Sequence, residues 1–248
     1  MKAGAGAARV DESPSHPNAK RVVASLRRMG SARGRAAMAR YALPSEKAFG
    51  VSVASIQALA KRLGRSHELA EDLWNADWFE ARMLAAFVDE PGRVTAAQMD
   101  RWTRDFDNWG ICDTVCFHLF DRTPHAFRKV AAWARRRPEF ERRAAFALLA
   151  SLAAHDRAAS DEAFERCLPL IEECAGDDRN FVKKGVSWAL RMVGRRSVPL
   201  HAKSLALARR LADSEVPCAR WIGREALRDL GKPAVLRRLK ANAPRPRA

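Results

Sequence analysis

Apolar residues recur three and four positions apart through most of this chain, in segments of about 10 to 16 residues. That spacing places them along one side of an α-helix, whereas the alternating pattern and β-branched runs typical of strands are absent. The segments end at proline or glycine, as at Glu90-Pro91-Gly92. The pattern predicts an all-α fold with helices over 19–29, 34–42, 53–64, 67–76, 78–88, 96–105, 108–120, 124–135, 138–153, 160–174, 180–195, 198–213, 217–230 and 233–239.

Fourteen short helices form about seven hairpins, and they lack the heptad seam of a coiled coil. Although no strict internal repeat is visible, we expect an α-solenoid, a superhelix of HEAT-like (armadillo-like) helical hairpins. Residues 1–18 are rich in Gly, Ala, Ser and Pro without periodicity and are expected to be a disordered leader. A single HEAT-like domain over 19–239 and a basic tail over 240–248 complete the expected organisation.

The chain is strongly basic, with 45 Lys and Arg against 29 Asp and Glu and a net charge of +16. Such a balance favours polyanionic partners, and nucleic acid and an anionic membrane are the candidates. Much of the excess lies at the ends: residues 1–49 hold ten basic and three acidic side chains, and residues 232–248 hold six basic and none acidic. Basic ends alone have several uses, so a binding surface requires a basic face within the folded part.

Several function classes lack their motifs. The sequence has no glycine-rich phosphate loop, no HExxH and no GxSxG. Cys112, Cys116 and His118 are close in sequence, but their helical spacing does not converge on a metal, so we expect no metal site. Five cysteines without a CxxC pair or a signal peptide indicate a reducing, cytoplasmic setting, and no apolar run approaches the 18 or so residues of a membrane span.

The segment 180–195 carries two stripes when placed on a helix at about 100° per residue. One is apolar and consists of Val182, Val186, Ala189, Leu190 and Val193. The opposite stripe consists of Lys184, Trp188, Arg191 and Arg195. Cations for phosphates and a flat aromatic face are what a nucleic-acid surface needs. The alternative is that Trp188 packs on a neighbouring helix and that the cations are a solvated face.

A second candidate feature is a tryptophan and a carboxylate one helical turn apart. Trp109 and Asp113 share a helix face, behind an expected N-cap at Asp107. Ile111, Val115 and Leu119 form the expected core stripe, while Cys116, Phe117 and Phe120 are expected on the Trp–Asp face. A carboxylate in such partly apolar surroundings needs a cationic partner or a chemical role.

Arg143 lies in a helix that is apolar on most sides, so an inward guanidinium there requires a carboxylate or a phosphate. A structural salt bridge between Arg143 and Asp113 is therefore one interpretation, and a functional pair is the other. Its neighbour Arg142 is expected to be solvated.

Four stretches together resemble the AlkD-type DNA alkylation repair family. They follow the family's order with similar gaps and cover roughly residues 20–230. The stretches are MARYALPSEKAFGVSVASIQALAK (38–61), HELAEDLWNADWFEARMLAAFV (67–88), NWGICDTVC (108–116) with ERRAAFALL (141–149), and NFVKKGVSWALR (180–191).

The resemblance implies a HEAT-like superhelix that excises N3- and N7-alkylated purines from double-stranded DNA without metal or cofactor. Carried over position by position, it implies that Asp113 is the catalytic carboxylate, which stabilises the developing sugar cation and the attacking water. It also implies that Trp109 and Trp188 contact the deoxyribose of the lesion, that Arg143 holds a backbone phosphate and that Tyr41 contacts DNA. Lys184, Arg191 and Arg195 are added as DNA-binding residues on the evidence of the basic stripe.

One departure concerns Gly110, because the family often has an acidic residue directly after the first cleft tryptophan. Relatives of this fold also exist that bind DNA and excise nothing, so a non-catalytic protein for damaged or branched DNA is the alternative function. A helical protein scaffold is a third possibility, and the cations around Trp188 count against it. We expect a monomer in the cytoplasm, associated with the nucleoid when on DNA.

Overall fold

The computed structural model describes residues 18–242, which form fifteen α-helices and two short 3-10 helices and contain no strand. The 3-10 helices are Ala39–Tyr41 and Phe120–Arg122. In chain order the α-helices are α1 (Ala19–Met29), α2 (Ala32–Met38), α3 (Val53–Leu63), α4 (His67–Asn75), α5 (Phe79–Val88), α6 (Ala96–Arg104), α7 (Trp109–His118), α8 (Ala126–Ala134), α9 (Glu139–His155), α10 (Asp161–Glu165), α11 (Leu168–Glu173), α12 (Asn180–Val193), α13 (Val198–Ala212), α14 (Pro217–Leu230) and α15 (Pro233–Asn242).

The helices stack as the solenoid prediction requires. Hairpins form where α4 packs on α5, α8 on α9 and α13 on α14. One member of each hairpin also contacts the next, so that α3, α5, α7, α9, α12 and α14 form a continuous row. Each helix thus buries its apolar stripe against sequence neighbours, which is the architecture of a HEAT-like repeat. The all-α solenoid prediction is confirmed.

Polar side chains fix where several helices begin. At six helices the N-cap side chain accepts a hydrogen bond from the N–H three residues further on, which satisfies one of the free donors of the first turn. These caps are Ser31, Ser52, Ser66, Thr95, Asn108 and Ser197. The cap of α7 is therefore Asn108, whose Oδ1 accepts from the N–H of Ile111 at 3.0 Å. The expectation of Asp107 at this position was wrong by one residue.

Three other boundaries differ from the prediction. The segment 160–174 is split into α10 and α11, because Pro169 has no N–H to donate to the carbonyl of Glu165. The segment 34–42 is α2 followed by a 3-10 turn, and α15 continues to Asn242, beyond the expected end at 239. The expected leader lies outside the described residues except for Asn18, which caps α1.

The core is formed by the inward stripes, and it includes two side chains that were expected elsewhere. Ile111, Val115 and Leu119 are buried as predicted. Phe120 is also fully buried, near Trp102 and Trp133, and therefore does not lie on the Trp–Asp face as expected. The buried Cys116 contacts the carbonyl of Ala144. Within the described residues, no helix combines the length and apolar character needed to cross a bilayer.

Candidate nucleic-acid interface

A cleft of about 600 Å³ opens where α7, α9 and α12 meet the 3-10 turn after α2. Six of the eight predicted site residues line it: Tyr41, Trp109, Asp113, Arg143, Lys184 and Trp188. They come from four separate parts of the chain, so the fold brings together side chains that the sequence only suggested one by one. We call this space the cleft.

A larger cavity of about 950 Å³ lies between α1 and α4. No aromatic side chain lines it, and its acidic residues Glu68 and Asp72 are exposed. The smaller cleft combines a shielded carboxylate with aromatic rings and cations, and such convergence of polar groups, more than size, marks a binding site.

Trp109 is held by the backbone of a distant turn. Its Nε1 donates a hydrogen bond to the carbonyl oxygen of Tyr41 at 2.7 Å. The turn itself closes through Ala42, which adopts a left-handed backbone with φ of 52° and donates its N–H to the carbonyl of Ala39. Because this bond fixes the indole edge, the face of the ring is presented to the cleft in one orientation. Tyr41 is 64% exposed and leaves its own ring free.

The loop between the Tyr41 turn and α3 is anchored by a buried acidic side chain, Glu80. The carboxylate of Glu80 accepts hydrogen bonds from the N–H groups of Phe49, Gly50 and Val51 at 2.7 to 3.1 Å. Three main-chain donors offset the cost of burying the charge. Since this loop leads from the Tyr41 turn to α3, Glu80 fixes the backbone next to the cleft.

Asp113 and Arg143 form a two-pronged ion pair across the α7–α9 contact. Nε of Arg143 donates to Oδ1 of Asp113 at 2.9 Å, and Nη2 donates to Oδ2 at 2.6 Å. The remaining nitrogen, Nη1, donates to the carbonyl oxygen of Phe181 at the start of α12 at 2.7 Å. The Arg143 side chain is 8% exposed and that of Asp113 is 20% exposed. Both side chains line the cleft, and Asp113 is the more exposed of the two.

Burial sets the protonation behaviour of this pair. Desolvation raises the pKa of Asp113 above its ordinary value, and the charge and hydrogen bonds of Arg143 oppose the shift without cancelling it. Burial lowers the pKa of Arg143, but the neighbouring Asp113 outweighs it and raises the pKa overall. An ionised carboxylate has about four lone-pair positions, so each oxygen of Asp113 keeps one for a substrate or water.

On α12, Lys184 is exposed and Trp188 is half-buried, and both line the cleft. The Trp188 ring stacks on Phe117 of α7, with centroids 6.1 Å apart and planes 22° apart. Packing on a neighbouring helix was one alternative for Trp188, and the ring does pack on α7 while it also lines the cleft; its contact with nucleic acid stays a prediction.

Arg191 and Arg195 do not line the cleft. Nε of Arg191 donates to the carbonyl of Ser187 at 3.2 Å. Arg195 lies beyond the end of α12, and its Nη2 donates to the buried Asp229 of α14 at 2.6 Å. The predicted stripe therefore reaches the cleft only through Lys184 and Trp188, and Arg195 has a structural partner that the sequence did not reveal.

Other contacts were missed. Arg40, Asn180 and Phe181 line the cleft beside the predicted residues, and only their position next to Tyr41 and at the start of α12 pointed to them. Arg142 was expected to be solvated, but its Nη1 donates to Asp177 at 2.8 Å. Asp177 lies 35 residues further along the chain, which no local pattern could indicate.

Gly110 is a site of close packing. A Cβ added there would lie 2.9 Å from Cδ2 of Leu43 and 3.3 Å from Cζ of Phe79. Leu43 closes the Tyr41 turn through its N–H, which donates to the carbonyl of Met38. A side chain at position 110 would therefore press on the turn that carries Tyr41. Among residues 18–242, no three His, Cys, Asp or Glu side chains are grouped so that they could hold a metal ion.

Comparison with known proteins agrees with this fold. The family model described as DNA alkylation repair enzyme matches residues 22–230. A solved structure from a new family of proteins related to the HEAT-like repeat DNA glycosylases, with affinity for branched DNA structures, gives a TM-score of 0.72 at 20% identity and covers 87% of this chain and 97% of its own. The protein smu.31 from Streptococcus mutans UA159 gives 0.53 at 20% identity, covering 84% and 98%. No curated protein matches the sequence. At these identities the two structures support the fold.

Proposed function

This chain belongs to the family of DNA alkylation repair enzymes, and from that premise we propose that it is a monofunctional DNA glycosylase. It excises cationic N3- and N7-alkylated purines from duplex DNA by hydrolysing the N-glycosidic bond. The observation that carries the proposal is the Asp113 carboxylate, which shares the cleft with Trp109, Trp188 and the cation Lys184.

The chemistry needs one carboxylate and no metal. Alkylation at N3 or N7 places a positive charge on the purine, so the base leaves as a neutral molecule without being protonated first. The sugar then develops oxocarbenium-like charge at C1′, which the negative Asp113 stabilises. Water, oriented by the free lone pair of an Asp113 oxygen, adds to C1′ and gives up a proton to solvent. The products are the free base and an abasic site.

The aromatic residues hold the substrate. Trp109 and Trp188 offer rigid faces to the deoxyribose and to the cationic lesion, which cation–π attraction favours. Tyr41 extends from the turn on the other side of Trp109 and contacts the DNA. Lys184 supplies charge for a backbone phosphate. Because one chain provides all of these groups, the enzyme acts as a monomer, on chromosomal DNA in the cytoplasm.

Arg143 has a double role in this proposal. Three of its five N–H donors are used by Asp113 and Phe181. These bonds orient the carboxylate and partly offset the effect of its burial, which raises its pKa. The two remaining N–H groups are available to a phosphate, which is the contact that the family resemblance implied.

A second candidate function is binding of damaged or branched DNA without excision. One observation favours it: the two-pronged bond to Arg143 engages both oxygens of Asp113, as a purely structural ion pair would. The cations and rings of the cleft serve binding equally well in either case.

The experiment that separates the two is release of free base from a duplex containing 7-methylguanine or 3-methyladenine, measured with protein in excess. Wild type and Asp113→Asn are compared, and both are tested for duplex binding and thermal stability. We expect Asp113→Asn to bind within a few-fold of wild type and to release base about 10²- to 10³-fold more slowly, as when a group that stabilises transition-state charge is lost.

Asp177→Asn is the matched control, since Asp177 is another arginine-bound aspartate that lies outside the cleft. It should release base at the wild-type rate. If wild type binds the duplex but releases no base, the protein is a non-catalytic relative and the glycosylase proposal is wrong. Release by Asp113→Asn at the rate of the control would exclude Asp113 as the catalytic carboxylate.

A further inference from the structure

The helix next to α12 exposes a tryptophan that the cleft does not use. Trp221 of α14 is 40% exposed, although tryptophan has a large apolar ring that is usually buried. Nζ of Lys183 lies 5.1 Å from the centre of its ring. Arg224 and Arg228 are exposed on the same helix. We call Trp221, Arg224 and Arg228 the α14 face.

The α14 face repeats the spacing of α12. Trp188 and Arg191 of α12 stand at positions i and i+3, and Trp221 and Arg224 stand at the same positions one helical hairpin later. In a solenoid, equivalent positions of successive hairpins project from the same side of the stack. The spacing therefore places Trp221 on the wall to which Trp188 belongs.

The contacts of α12 and α14 also place Trp188 and Trp221 on the same wall, because they fix the rotation of each helix about its axis. On α12, Gly185 lies against Phe146 of α9 and Lys183 reaches Trp221 of α14, so the exposed Lys184 and Trp188 lie between those flanks. On α14, the backbone of Gly223 lies against Ala208 and Leu211 of α13, which covers the side opposite to the exposed face.

The buried Asp229 provides a third constraint on the orientation of α14. It receives a hydrogen bond from Arg195 and one from Lys232 at the start of α15. These bonds hold α14 against the end of α12. Trp221 is therefore held at the surface by the packing of its helix, and its exposure is a property of the folded stack.

We propose that the α14 face binds the sugar–phosphate backbone of the same DNA duplex beside the cleft. This inference rests on the proposed function, which places DNA at the cleft. The charge of the face fits the partner: Lys183, Arg224 and Arg228 are cations, and Glu225, which pairs with Arg228, is the acidic group among them. A flat ring among cations is suited to a deoxyribose between two phosphates.

Helices in contact lie about 8–10 Å apart. Successive phosphates of one DNA strand are separated by about 3.4 Å along the axis. The spacing between neighbouring helices therefore spans more than one phosphate step, and in this proposal Arg224 holds a different phosphate from that held by Lys184 of α12. The α14 face thus adds independent contacts and does not share those of the cleft.

The test measures binding to a short duplex that carries one tetrahydrofuran abasic-site analogue. Fluorescence anisotropy gives the dissociation constant over a range of salt concentrations. Trp221→Ala, Trp221→Phe and Arg224→Gln are compared with Arg209→Gln, an exposed arginine of α13 on the outer side of the hairpin. We expect Trp221→Ala and Arg224→Gln each to weaken binding about five- to tenfold, or about 1 to 1.4 kcal/mol, and Trp221→Phe to recover most of the loss.

Arg224→Gln should also lower the slope of log K against log salt by about 0.9, the value for one phosphate contact. A duplex series with single neutral methylphosphonates then locates that contact: one substitution should weaken wild type but not Arg224→Gln. Arg209→Gln should behave as wild type throughout.

If Trp221→Ala and Arg224→Gln bind like Arg209→Gln, the inference is wrong, and this holds whether or not wild type releases base. If wild type releases base and the α14 variants bind normally, the proposed function is supported and the inference about the α14 face is wrong. If wild type fails to bind the duplex, the proposed function and the inference are both wrong.

Discussion

Two neighbouring arginines of α9 each bind an aspartate, and the pKa values of the two aspartates are shifted in opposite directions. Arg143 holds Asp113 in the cleft, with bonds of 2.9 and 2.6 Å. Arg142 holds Asp177 in the loop before α12 at 2.8 Å, together with Arg179 at 2.9 and 2.6 Å. The distances are similar, so the difference between the two carboxylates comes from the number of arginines that each one binds and from its surroundings.

The pKa values move in opposite directions. Burial raises the pKa of Asp113, and its single arginine does not reverse the effect. Burial also acts to raise the pKa of Asp177, but hydrogen bonds from Arg179 and Arg142 outweigh it and hold the value at about 2. Asp177, which binds two arginines, stays ionised over a wide pH range. Asp113 binds a single arginine in apolar surroundings, so its protonation state responds more readily to pH.

The largest expected effect comes from breaking the cleft pair. Arg143→Met leaves Asp113 buried without a cation and should lower the free energy of unfolding by roughly 3–5 kcal/mol. Arg142→Met should cost less, because Asp177 keeps its two bonds to Arg179. Urea denaturation measures both. The double variant Arg143→Met with Asp113→Leu should recover much of the loss, and equal costs for the two single variants would contradict the distinction drawn between the pairs.

A smaller effect is expected on the pH dependence of base release. In the proposed mechanism, protonation of Asp113 removes the charge that stabilises the sugar cation, so the rate should fall about tenfold per pH unit on the acid side. Because the pKa is raised, this fall begins at a higher pH than the ordinary value of about 3.9. Single-turnover rates, corrected for spontaneous depurination of the same duplex, provide the measurement. A rate that stays level down to the ordinary carboxyl pKa would show that Asp113 is not responsive.

The smallest effect concerns Asp177 and stability in acid. Its folded pKa of about 2 lies below the unfolded value of about 3.9, so its contribution is present above pH 4 and is lost as the pH falls toward 2. Asp177→Asn should therefore lower stability at pH 5 by on the order of 1 kcal/mol, since water screens part of the pair. It should also make the loss of stability between pH 5 and pH 2 less steep. Thermal unfolding between pH 5 and pH 2 tests this, and an equally steep loss would contradict it.

The comparison also shows what the sequence could predict. The spacing of Trp109 and Asp113 was sufficient to place them on one face, because a helix has a fixed geometry. The need of Asp113 for a cation followed from its apolar neighbours, and Arg143 was the natural candidate. Whether that pair is structural or catalytic was left open, and base release has to decide it.

Contacts between distant loops were beyond local reasoning. Arg142 was expected in solvent because its partner Asp177 lies two helices away in a loop. Arg195 fits the stripe of α12 on an ideal helix, but α12 ends at Val193 and Asp229 of α14 takes its guanidinium. By contrast, the break at Pro169 could have been predicted, since a missing N–H is a local property.

The hydrogen bond from Trp109 to Tyr41 has an evolutionary consequence. Its acceptor is a main-chain carbonyl, so any residue at position 41 that keeps the turn can supply it. The exposed side chain at position 41 can therefore be exchanged without releasing Trp109. Position 109 is constrained by the bond and the side chain at position 41 is not, so a mutational library at position 41 can vary the contact that the proposed function assigns to Tyr41 while the turn is kept.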